Sequence, residues 1–97
     1  MTDQPSNQEQ GALRALEHVV ATDFEGGEGV LVDLNTKKYY QLNETAMLVW
    51  RGVERGRGLA EIVSEMTRTY EVTPERARAS VDRIVGHFVS LRLIGRG

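Results

Sequence analysis

The 97-residue chain has no cysteine, which excludes a disulfide framework, thiolate metal sites and thiol catalysis. Histidine is nearly as scarce. His18 and His87 are the only two, and neither belongs to an H-x-x-x-H or H-E-x-x-H spacing. No metal or other cofactor is expected. No apolar run approaches the ~18 residues of a membrane span, and the polar N-terminus does not read as a secretory signal. A cytoplasmic chain without a membrane partner is the expectation. A basic excess is missing too: the formal net charge is −2, whereas nucleic-acid binders draw most of their affinity from neutralised phosphates. No nucleic-acid partner is therefore expected.

The motifs of catalysis are also absent. Ser6, Ser64, Ser80 and Ser90 have no nucleophile-elbow context. Gly26-Gly27-Glu28-Gly29 precedes a strand, whereas a phosphate cradle opens onto a helix N-terminus. Arg55-Gly56-Arg57-Gly58 does precede a helix, but without the lysine and hydroxyl residue of a P-loop. A non-catalytic binding protein is the reading that remains.

What is present centres on Gly29 to Trp50. Val30, Val32 and Leu34 alternate with Leu31 and Asp33, the period of a half-buried strand. Asn35-Thr36-Lys37 suits a tight connection, with Asn35 the residue most tolerant of a left-handed backbone. Lys38 to Leu42 resumes the alternation with an aromatic pair, which makes a hairpin. Asn43 is a helix cap and Glu44 lies in the first turn, where the dipole favours negative charge. Leu42 and Met47 hold the positions of a hydrophobic staple. Ala46, Val49, Trp50 and Val53 then follow at helical spacing, which makes Trp50 a core residue.

Upstream, Met1 to Gln10 has no large apolar residue beyond the initiator methionine and reads as flexible. The tail is placed at 1–12 and the folded domain at 13–97. Ala12, Leu13, Ala15 and Leu16 suit one amphipathic turn, and His18 to Asp23 a first strand. Downstream, Leu59, Ile62, Val63, Met66 and Tyr70 mark a second helix. Thr73-Pro74-Glu75 opens a third, with a hydroxyl cap, proline at N1 and an acid in the first turn. Its stripe is Ala77, Val81, Ile84, Val85, Phe88 and Leu91. Gly86 inside it either admits another backbone or is simply tolerated. A glycine stop is expected at Gly95. Three strands followed by three helices define an α+β fold: a three-stranded antiparallel sheet with a winged helix-turn-helix-like arrangement.

In such a meander the strand Lys38 to Leu42 is an edge. Lys37 and Lys38 either protect it from pairing, or it is a template for an incoming peptide strand. At this point the run VLVDLNTKKYYQLNETAMLVW, followed by LAEIVSEMTRTYEVTPERARASVDRIVGHFVSLRLI, resembles the PqqD-like family of precursor-peptide recognition elements. Asp33-Leu34-x-Thr36, then Tyr40-x-Leu42-Asn43-x-Thr45-Ala46 and Trp50, are similar to the small discrete members that serve lasso-peptide maturation. One departure is the hairpin turn, where Lys37 or Lys38 stands in place of a frequent glycine.

The resemblance implies a domain without catalytic activity that binds the leader segment of a ribosomally made precursor as an added strand. It implies as further partners a leader peptidase and other maturation enzymes such as an ATP-dependent cyclase. Carried over by position, the peptide-binding residues are Lys37, Lys38, Tyr39, Tyr40, Gln41 and Leu42. The opposing wall is whichever of Val81, Ile84, Val85, Phe88 and Leu91 the core does not consume. The competing reading is a winged-helix DNA-binding regulator with Arg76, Arg78 and Arg83 in the major groove. Glu75 and Asp82 interrupt that basic row, and the net charge opposes it.

Overall fold

A computed structural model describes residues 13–96. The expected tail at 1–12 lies outside the described residues, as does Gly97. The chain runs β1 (Leu13–Ala15), β2 (Val19–Asp23), a 3-10 turn (Glu25–Gly27), β3 (Gly29–Asp33) and β4 (Lys38–Leu42). Three helices follow, α1 (Glu44–Glu54), α2 (Leu59–Tyr70) and α3 (Pro74–Ser90), and then β5 (Ile94–Arg96). β2, β3 and β4 form the antiparallel meander in that order. The three-stranded sheet followed by three helices is thus the observed architecture.

The two ends of the described chain depart from expectation. Leu13–Ala15 is a strand, not a helical turn, because it pairs antiparallel with Ile94–Arg96. Leu16 N–H also donates to Leu93 C=O at 3.1 Å. Gly95 is a strand residue within that pair and does not stop α3. The stop falls three residues earlier, at Arg92, which takes φ 62°. Leu93 N–H reaches back to Phe88 C=O, and Arg92 N–H to Val89 C=O, both at 3.0 Å. That is a Schellman closure. Its following residue, Leu93, is fully buried, so burial of leucine holds arginine in a conformation usually left to glycine.

The hairpin turn differs in the same way. Lys37, not Asn35, takes the left-handed backbone, at φ 66°. Asp33 directs the turn. Its Oδ1 accepts from Asn35 N–H at 2.9 Å and Thr36 N–H at 3.1 Å, while its C=O accepts from Lys37 N–H at 2.7 Å. Asp33 is buried. Burial alone would raise its carboxyl pKa, but the two backbone donors and nearby His18 outweigh it and hold the pKa below the ordinary value. His18 Nε2 lies 3.8 Å from Oδ1. A depressed folded pKa adds stability that is complete above the unfolded value, about pH 4, and is lost as pH falls through the folded one. In Asp33→Asn, the deficit in melting temperature should therefore be widest at neutral pH and narrow below about pH 4. Thermal melts of both proteins across pH 2–7 measure this; a deficit independent of pH would remove the carboxylate from the account.

The helices begin as the sequence indicates. Asn43 Oδ1 accepts from Ala46 N–H at 2.9 Å, and Thr73 Oγ1 from Arg76 N–H at 3.2 Å. Leu42 and Met47, the staple pair, are both buried. The core gathers Leu31 from the sheet, Val49, Trp50 and Val53 from α1, Ile62 and Met66 from α2, and Ala77, Val81, Val85 and Phe88 from α3. Gly52 lets α1 approach α2 closely: a Cβ there would lie 2.7 Å from Ile62 Cγ1. Gly86 has no such reason, since nothing lies within 4 Å of its missing Cβ. Gly86→Ala should stabilise the domain by about 1 kcal/mol, the helix-propensity difference. A denaturant titration showing destabilisation instead would assign Gly86 a steric role.

Candidate functional site

α3 is amphipathic in two registers. Val81, Val85 and Phe88 point into the core and are nearly inaccessible. Ile84 is half-buried, and Arg83 and His87 are exposed. One helical turn separates Arg83 from His87 and Ile84 from Phe88, so these four form a stripe along the helix. The stripe faces β4. Between them lies a groove of about 660 Å³ lined by Tyr39, Tyr40, Gln41, Leu42, Asn43, Ala46, Arg83, Ile84, His87 and Phe88.

Of the residues expected from sequence, Tyr39, Tyr40, Gln41, Leu42, Ile84 and Phe88 line this groove. Val81 and Val85 belong to the core, Leu91 lies off the groove, and Lys37 and Lys38 stand at the turn end of β4. Arg83, His87, Asn43 and Ala46 also line it, and none of them is among the peptide-binding residues expected from sequence. The helical period carries a signal for Arg83 and His87, because each sits one residue before an apolar member of the stripe. A charged residue beside a core position is ordinary on a solvated face, so the sequence alone does not separate the two cases.

The edge of β4 away from β3 has no partner strand among the described residues. Which of its backbone groups point there follows from the ladder. Leu34 N–H donates to His18 C=O at 2.8 Å, and Phe24 N–H to Glu28 C=O at 2.7 Å. Hydrogen-bonded pairs alternate in an antiparallel ladder. Val32 and Val30 therefore bond to β2, while Gly29, Leu31 and Asp33 turn their backbone towards β4. Their partners there are Leu42, Tyr40 and Lys38. Tyr39 and Gln41 are left to direct N–H and C=O outward. The Tyr39 side chain is 73% exposed, and Tyr40 is half-buried on the groove side with Leu42.

A second concavity, of about 600 Å³, lies between the 3-10 turn, α1 and α2. Of its two arginines, Arg51 is already engaged, bonding Asp23 at 2.7 Å and Glu54 at 2.6 Å. No group of three or more metal-ligating side chains occurs among the described residues, and none of their helices is long and apolar enough to cross a membrane. A free strand edge opposed by a helix wall is the arrangement that stands out.

The same fold occurs in solved structures. The structure described as "TbiB1 in Complex with the TbiA(beta) Leader Peptide" superposes with a TM-score of 0.78 at 22% identity, covering 84% of this chain and 93% of that one. "Lasso peptide synthetase B1 complexed with the leader peptide" gives 0.77 at 23% identity, covering 86% and 96%. At these identities the likeness is one of fold. No curated protein matches in sequence. The profile of the family described as "Coenzyme PQQ synthesis protein D (PqqD)" matches residues 28–94, and the chain belongs to that family.

Proposed function

We propose that this protein is a non-catalytic module that binds the leader segment of a ribosomally synthesised precursor peptide and presents it to maturation enzymes, a leader peptidase among them. The observation that carries the reading is the edge of β4, unpaired among the described residues, with Tyr39 and Gln41 directed outward, facing α3 across a groove of about 660 Å³. An extended segment laid along that edge gains main-chain hydrogen bonds, and its alternate side chains enter the groove. Both solved structures of similar fold are complexes with a leader peptide, which supports the same mode here. The peptide-binding residues are then the β4 backbone from Lys38 to Leu42 and the side chains of Tyr39, Tyr40, Gln41, Leu42, Ile84 and Phe88. The domain corresponds to residues 13–97.

The DNA-binding reading is weaker. Arg78, one of its three arginines, lies 3.5 Å from Asp82 on its own helix, and the chain carries a net negative charge. The test is calorimetric titration with the leader segment of a precursor encoded beside this protein's gene, with a labelled DNA duplex as the comparison. The expected result is saturable binding of the leader and only weak, salt-sensitive association with the duplex. Duplex binding that persists at ~200 mM salt, with no binding of the leader, would overturn the proposal.

A further inference from the structure

Three of the chain's ten arginines pair with a carboxylate of the described residues, and of the other seven Arg83 is the one that lines the groove. Arg51 has Asp23 and Glu54, Arg57 has Glu65 at 2.7 Å, and Arg78 has Asp82. Arg83 has no ion-pair partner among the described residues. The reason is in the helix: positions three and four away from it are Ala79, Ser80, Gly86 and His87, and those are the positions whose side chains it can reach. Asp82, its neighbour in sequence, lies against Arg78 instead. The elements facing Arg83 supply no acid either. From β4 and the start of α1 the groove is lined by tyrosine, glutamine, leucine, asparagine and alanine. In a chain of net charge −2, the groove is a place where positive charge meets no negative charge.

We propose that the groove selects peptides carrying an aspartate or glutamate that pairs with Arg83, two residues away from an apolar side chain that packs on Ile84 and Phe88. This specificity rests on the strand-addition reading above. In a strand added to β4, the side chains facing α3 recur every second residue, about 6.6–6.8 Å apart. Arg83 and Phe88 are five residues apart in α3, about 7.5 Å along the axis. Two successive inward side chains therefore span the distance between the cationic and apolar parts of the wall. The guanidinium presents a planar fork of donors that fits a carboxylate better than an amide. The imidazole of His87 offers a further donor on the same stripe. The floor of Phe88, Ile84, Tyr40 and Leu42 excludes water from one side of the pair, which strengthens it relative to a fully solvated one.

The experiment is selection of a displayed library of random 12-residue peptides on the parent domain and on Arg83→Glu. Arg83 is exposed, so the substitution leaves the core untouched. The parent should enrich Asp or Glu two positions from an apolar residue, and Arg83→Glu should replace that acid with Lys or Arg. A selected peptide should lose about three- to tenfold in affinity on Arg83→Gln. Its acid-to-amide counterpart should lose a similar factor on the parent and nothing more on Arg83→Gln, the signature of a direct pair. Each selected peptide is also titrated against Tyr39→Pro. Peptides that Tyr39→Pro rejects, but that show no acidic preference or one unchanged by Arg83→Glu, overturn the pairing and leave strand addition standing. Peptides that bind Tyr39→Pro like the parent, or no selected peptide at all, overturn strand addition and the pairing with it.

Discussion

Tyr39→Pro is expected to abolish leader-peptide binding while the domain stays folded, and Tyr40→Pro to disrupt the fold. The two residues are adjacent in one strand, have the same side chain and differ in where their backbone points. Proline removes an N–H and fixes φ near −65°, which an edge position tolerates and a paired position does not. Tyr40 is paired with Leu31 in the hydrogen-bonded alternation of the ladder, so its N–H is one the sheet cannot lose without leaving Leu31 C=O unpaired at the buried centre. Tyr39 directs its N–H to the open edge, where only an incoming chain would accept it. Truncating the Tyr39 side chain should by contrast weaken binding modestly, because main-chain bonds fix the register of an added strand. Calorimetric titration with the leader segment, with circular dichroism as the folding control, separates the outcomes. If both proline variants fold and bind as the parent does, the peptide does not add to β4.

The second large effect concerns the core. Trp50→Ala should destabilise the domain by about 3–5 kcal/mol, the range for deleting a large buried aromatic side chain. Trp50 is fully buried. Its ring meets Phe88 edge to face, with centroids 5.6 Å apart and planes at 82°, a geometry that adds about 0.5–1.5 kcal/mol beyond area burial. Its Nε1–H meets no protein acceptor among the described residues. Phe88 also forms the groove floor. Removing Trp50 should therefore loosen the floor and weaken peptide binding as a consequence of lost stability. Denaturant unfolding measures the first effect. An unchanged melting temperature with lost binding would make Trp50 a surface anchor and refute its place in the core.

The helix starts at Asn43 and Thr73, the hairpin over Gly29 to Leu42 and the burial of Trp50 are all determined by the sequence itself. Each depends on residues within one or two turns of each other: a capping oxygen, an alternation, a heptad-scale stripe. The β4 edge was visible for the same reason, since a meander's last strand has an open side whatever packs around it. Tertiary structure alone decided the rest. Leu13–Ala15 is a strand only because Ile94–Arg96 lies beside it, and no local period reports a partner some eighty residues away. Arg92 and Lys37 hold left-handed backbones because a buried leucine and the Asp33 turn require them to, against their own preference. The division of α3 follows the same logic. Val81, Val85 and Ile84 look alike in the sequence, and only the packing of α1 and α2 against α3 commits the first two to the core and leaves Ile84, with Arg83 and His87, on the wall of the groove.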